Sequence, residues 1–176
     1  MDLKVNIFFS TQGASLDLFY QVDRYLRERL PDFRTGYLVC DSQHYDRFCR
    51  THPEFPVSAH VVLKEWEILE AAKKSALDFD TLRSYERRLG NPNLWGPLLA
   101  DRRIYLGKRA TYRQDYKPRF THEEMLAILQ QALIEFNRIF QDFQPDAVMT
   151  LYPAPLVITL PICWAGSWGP SRWILD

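Results

Sequence analysis

The chain has 176 residues, 47% hydrophobic and 25% charged, a balance that fits one folded domain with its own core and excludes an extensive disordered tail. Lys and Arg together number 22, as do Asp and Glu, so no net charge draws the chain to nucleic acid. Three cysteines, Cys40, Cys49 and Cys163, without a C-x-x-C spacing or a His partner at ligand intervals, exclude a disulfide scaffold and point to a reduced, cytosolic setting with no metal centre.

The chain begins without a secretory signal pattern, and no apolar run approaches the roughly 20 residues a membrane helix requires. Membrane association is therefore expected to be peripheral, at the inner face. Val5 to Phe9 is an apolar run with Asn6 its only polar member, as a strand buried on both faces requires. It leads into Ser10-Thr11-Gln12-Gly13-Ala14-Ser15. Ser15 is the expected N-cap of a helix in which Leu16, Phe19, Tyr20, Leu26 and Leu30 recur at helical spacing until Pro31.

Tyr37 to Cys40 is the second strand candidate, stopping at Asp41-Ser42, and Tyr45 to Cys49 fits a short helix before a turn region from Pro53 to Pro56. Ala59 to Leu63 is the third strand. Trp66, Leu69 and Ala72 mark a helix over 64–74, and Leu82, Tyr85 and Leu89 mark another that Asp80 or Thr81 would cap and Gly90 would end. Thr121-His122-Glu123-Glu124 has the capping-box pattern and opens a long helix whose apolar face runs from Met125 to Phe143. Ala147 to Tyr152 is a fourth strand. Strands alternating with helices predict an α/β layered fold with a mainly parallel sheet over residues 1–155.

Residues 156–176 break the alternation. Pro161, Gly166, Gly169 and Pro170 interrupt them, Trp164, Trp168 and Trp173 crowd them, and no helical or strand period survives. This irregular tail is expected to be either a small capping segment or the scar of an altered or shortened reading frame.

The loop after the first strand is a candidate anion cradle, because the first strand-to-helix turn of a parallel sheet brings backbone N–H groups and a helix dipole together. Thr11, Gly13 and Ser15 are its candidate ligand-binding residues. It has neither the G-x-G-x-x-G nor the Gly-Lys-Ser/Thr pattern, and Gln12 stands where the hydroxyl-rich phosphate loop of flavodoxins has a hydroxyl residue. Asp41, at the end of the second strand, is placed where a dinucleotide fold meets a ribose hydroxyl. His44, His52, His60 and His122 are scattered and fit surface or capping roles. From Arg83 to Arg119 the chain is locally basic, with ten Lys and Arg against Glu86, Asp101 and Asp115, and Tyr105, Tyr112 and Tyr116 stand ready to stack on a base or sugar. Within it, Asp101 is the candidate catalytic base and Arg102 and Arg103 the candidate anion-binding pair, with a structural ion pair as the alternative.

Tyr85-Glu86-Arg87-Arg88-Leu89 followed by Gly90-Asn-Pro-Asn-Leu-Trp-Gly-Pro-Leu-Leu-Ala-Asp-Arg-Arg103 resembles a segment of bacterial capsule and surface-polysaccharide biosynthesis proteins. With the strand and helix alternation, residues from about Leu3 to Pro155 look like the Rossmann-like N-terminal half of a GT-B glycosyltransferase. The resemblance implies a transferase whose N-terminal half holds the acceptor, with nucleotide-sugar and lipid-linked saccharide as partners and no cofactor or obligatory metal. It also implies that a second wall, supplied by another chain, completes the cleft. The alternatives from other classes are a non-catalytic module for a nucleotide or phosphorylated ligand, and a flavin-binding carrier.

Overall fold

The computed structural model describes residues 4–90, 94–100, 119–151 and 173–175. Strand β1 (Val5–Thr11) is followed by α1 (Ser15–Arg27), β2 (Phe33–Val39), α2 (Ser42–Thr51), α3 (Phe55–Ser58) and β3 (Val61–Lys64). Then come α4 (Glu65–Ala72), α5 (Phe79–Leu89), α6 (Trp95–Ala100), the long α7 (His122–Phe143), β4 (Ala147–Thr150) and β5 (Trp173–Leu175). The strands form one sheet in the order β3-β2-β1-β4-β5, and every neighbouring pair is parallel. Because parallel strands need crossovers, helices lie on both faces, and the result is the expected α/β, Rossmann-like three-layer fold.

The two faces read directly from strand periodicity. Phe8, Leu38 and Val148 face one core with Ile68, Leu82, Leu98 and the apolar stripe of α7. Phe9, Tyr37 and Val39 face the other, where α1, α2 and α3 contribute Leu16, Phe19, Phe48 and Phe55.

Several elements differ from the sequence expectation, some for a long-range reason and some through local bonds. β1 continues through Ser10 and Thr11, which pair with Leu38 and Val39 of β2. β2 starts at Phe33, four residues before the apolar run, because its polar residues are satisfied inside. Asp23 of α1, fully buried, accepts from Arg27 Nε at 2.6 Å and from the Tyr37 hydroxyl at 2.8 Å, and Arg27 also bonds Thr35. A buried carboxylate so surrounded escapes the penalty of an unpaired charge. The same cluster, led by burial, pushes the Tyr37 phenol far above its ordinary range.

The expected turn at residues 53–56 instead contains the start of α3, where Pro56 occupies the first turn, a position at which its missing N–H costs nothing. α5 is capped by Asp78 rather than Asp80 or Thr81, since Asp78 accepts from the Asp80 N–H at 2.9 Å and from the Thr81 hydroxyl at 2.6 Å. Gly90 ends that helix at φ +65°, as expected. The capping box at Thr121 is present in both halves, with the Glu124 N–H donating to Thr121 Oγ1 and the Thr121 N–H to Glu124 Oε2. Trp173–Leu175, within the stretch expected to lack a strand, joins the sheet edge opposite Ala147–Met149 as β5. Three residues are too few to carry a period.

Asn6 ties the long helix to the central strand. Its side-chain amide donates to the Phe143 and Gln144 carbonyls at 3.0 and 3.1 Å, satisfying groups that a helix end leaves unbonded. Its backbone N–H donates to Asp146 Oδ2 at 2.8 Å, and the Asp146 N–H donates back to the Asn6 carbonyl at 2.7 Å. β4 is thereby delivered beside β1. Above this tie, Phe8 packs edge-on against Phe140 at 5.2 Å between ring centroids, over a gap left by Gly36. A Cβ on Gly36 would lie 2.7 Å from both Phe8 Cδ2 and Val61 Cγ1.

Gly36→Ala is therefore expected to destabilise the fold by about 1–3 kcal/mol through overpacking. Gly96→Ala, on a helix and with nothing within 4 Å, should instead stabilise by about 0.5 kcal/mol. Urea unfolding of both variants compares them directly. A second expectation concerns alkali. The Tyr20 hydroxyl donates to Glu54 Oε1 at 2.5 Å, and burial, then the bond to Glu54, pushes the phenol up to about 12 from 10.0. A raised folded value means a contribution fully present below pH 10 and lost as pH climbs from 10 to about 12. Tyr20→Phe should flatten that part of the stability profile, read as unfolding midpoints from pH 9 to pH 12.

Candidate functional site

The strand order places β2 and β3 on one side of β1 and β4 and β5 on the other, so the chain reverses its winding between β1 and β4. In open parallel sheets the crevice outside the carboxyl ends of two such strands is where ligands sit. Here that edge is built from the end of β1, the loop into α1 and the end of β4.

The loop is a closed turn. Gly13 takes φ +53°, a left-handed value that only glycine adopts without strain, and a Cβ there would meet nothing within 4 Å. Ser15 is the first residue of α1 rather than its cap; Ala14 holds the cap position and supplies no side-chain bond. The reason is that Ser15 Oγ reaches back, accepting from the Gln12 N–H at 2.7 Å and donating to the Gln12 carbonyl at 3.1 Å. Thr11 is likewise turned inward, its hydroxyl donating to the Leu38 carbonyl at 2.7 Å with 1% of the residue exposed.

Of the three residues the sequence nominated in this loop, Thr11 and Ser15 thus use their hydroxyls to hold the turn, while Gly13 stands open. The N–H groups of Gly13 and Ala14 donate to no backbone carbonyl among the described residues. They lie at the amino end of a thirteen-residue helix, whose dipole favours negative charge there.

Sequence reasoning left out Ser10. It lies at the end of the β1–β4 ladder opposite Thr150, it is 2% exposed, and its hydroxyl has no hydrogen-bond partner among the described residues. Buried hydroxyls are nearly always bonded, so an orphan at a switch point signals an unfilled polar role. Only its place at a strand end, next to a loop of hydroxyl residues, marks it in the sequence.

Asp41, the candidate ribose ligand, caps α2 instead: its Oδ1 accepts from the His44 N–H at 3.0 Å. His44 in turn places Nε2 2.8 Å from Asp17 Oδ2, linking the first turns of α2 and α1 at the same sheet edge. His44 is therefore fixed through both its backbone and its ring. His52 lies tilted against Tyr20 and Phe48, His60 stacks on Phe143, and His122 meets Trp95 edge-on at 5.7 Å.

Asp101, Arg102 and Arg103 lie outside the described residues, as do Tyr105, Tyr112 and Tyr116. Of the basic stretch, Arg88 donates to Asn137 Oδ1 at 2.8 Å, Arg83 pairs with Asp80 at 3.5 Å, and Arg119 lies over the Phe120 ring. These are surface and packing roles worth little each. Among the described residues no group of three or more His, Cys, Asp or Glu is placed to hold a metal, and no helix is long and apolar enough to cross a membrane. Comparison with protein-family models, curated proteins and solved structures produced no match.

Because Ser15 braces the turn, Ser15→Ala is expected to cost about 1 kcal/mol of stability, and Gly13→Ala a similar amount from left-handed strain. Thermal unfolding of both measures this.

Proposed function

We propose that this chain is a glycosyltransferase-related α/β module that holds a phosphorylated ligand at the carboxyl ends of β1 and β4. The observation that carries the reading is the conjunction of two N–H groups, at Gly13 and Ala14, with a buried Ser10 hydroxyl where the sheet reverses its winding, the N–H groups without backbone acceptors and the hydroxyl without a partner among the described residues. Backbone N–H groups at a helix start bind phosphate without a cationic side chain. The resemblance of Tyr85 to Arg103 to polysaccharide-biosynthesis proteins narrows the ligand to a nucleotide-sugar or a lipid-linked saccharide. In that role the chain forms the acceptor wall, and transfer requires a second chain to close the crevice and exclude water.

A second reading, a non-catalytic phospho-ligand module, draws support from Thr11 and Ser15. Their hydroxyls are bonded within the fold, so the cradle depends on backbone donors that bind charge and move no proton.

Isothermal titration with UDP-glucose, UDP, polyprenyl phosphate and inorganic phosphate tests the common claim. Binding of at least one phosphorylated compound is expected, weakened roughly tenfold by Ser10→Ala, the loss of one hydrogen bond to a charged group, and abolished by Gly13→Val. Absence of phosphate-dependent binding, or binding indifferent to both changes, overturns the proposal. Sugar transfer by the purified chain alone would overturn the requirement for a second wall.

A further inference from the structure

Away from the sheet edge, the amino end of α7 and the carboxyl end of α4 enclose a second feature. A cavity of about 290 Å³ opens between them, and its walls are Leu69, Leu77, Phe120, Ala127 and Ile128. Ala127 and Ile128 belong to the buried core, and the other three pack against it while remaining partly accessible. Cavities of this size with apolar walls and a few polar groups at one end suit a small organic ligand.

The cavity carries charged groups as well, two carboxylates and one ammonium. Glu123, Glu124 and Lys73 line it, and Lys73 is already engaged, its Nζ lying 2.6 Å from Glu70 Oε1. Glu124 spends one oxygen on the Thr121 N–H in the capping box. Glu123 forms no ion pair or side-chain hydrogen bond among the described residues. Nearby, Arg119 lies over the outer Phe120 ring, and Ser75 is bonded to the Ala71 carbonyl and Gln131. A ligand seated here would lie against an apolar wall with the Glu123 carboxylate, unpartnered among the described residues, beside it.

We propose that this cavity binds a small primary ammonium compound, with an aliphatic body of about six carbons against Leu69, Leu77 and Ile128 and its charged head on Glu123. The site is separate from the crevice at β1 and β4, and stands or falls independently of it. A carboxylate of the same shape would face Glu123 and Glu124 and be rejected, whereas an alcohol would gain the apolar contact alone.

The test titrates hexylammonium, hexanol and hexanoate into the full chain while following the methyl resonances of Leu69, Leu77 and Ile128. Saturable shifts with hexylammonium are expected, weaker ones with hexanol and none with hexanoate. Glu123→Gln should weaken hexylammonium roughly fivefold to tenfold. Ala127→Leu, which fills the cavity, should abolish the shifts; should that variant fail to fold, Leu77→Phe at the more accessible wall serves the same purpose. Equal binding of hexanoate, no saturable shift with hexylammonium, or binding unchanged by Glu123→Gln or by the cavity-filling variant overturns the proposal.

Discussion

The fold depends on one polar residue in an otherwise apolar strand. Asn6 is 93% buried from solvent by its surroundings, with 7% exposure, and its amide serves the last carbonyls of α7 while its backbone exchanges bonds with Asp146. A helix that ends inside a protein must satisfy its final carbonyls, and a buried carbonyl left alone costs about 1–3 kcal/mol. Asn6 meets that demand from the neighbouring strand, so the end of α7 and the start of β4 become parts of one bonded unit with β1. The reversal of winding that creates the crevice follows from this attachment.

Around the tie, the two faces of the sheet are stabilised differently. One is almost wholly apolar, with Phe8 over Gly36 and the phenylalanines of α7 interleaved at edge-to-face angles. The other contains the Asp23, Arg27, Thr35 and Tyr37 cluster beneath α1. Such a cluster adds less net stability than an apolar replacement would, yet it penalises any arrangement that separates α1 from β2. The two devices attach β1 and α1 to the rest of the fold on either side of the loop that joins them.

This explains how hydroxyl-bearing residues divide their labour at the sheet edge. Thr11 and Ser15 hold the turn through bonds to Leu38 and Gln12, while the Ser10 hydroxyl has no partner among the described residues. Asp17 sits in the same first turn, where its charge opposes an anion, but His44 lies 2.8 Å from it. The edge is consequently a mixed field, with the amino end of a helix beside the Asp17 carboxylate and the His44 ring.

What the sequence determined by itself lies within a few residues of chain, although the Asp78 cap and the α3 turn are local as well and were not legible. The alternation of strands and helices, the capping box of Thr121 and Glu124, and the glycine stop at Gly90 are all local, because their donors, acceptors and dihedrals lie inside one turn of chain. What only the tertiary structure decided involves partners far apart in sequence. The extension of β1 through Ser10 and Thr11 and the early start of β2 need cross-strand partners to satisfy polar residues. Asn6 reads locally as a flaw in an apolar run and becomes the tie only when Phe143 and Gln144 arrive beside it. Ser15 is the exception, a cap residue by type whose hydroxyl bonds Gln12 three residues away and acts as a brace. Local preference restricts each segment to a few conformations; the burial of polar groups, which requires a bonded partner wherever water is excluded, selects among them.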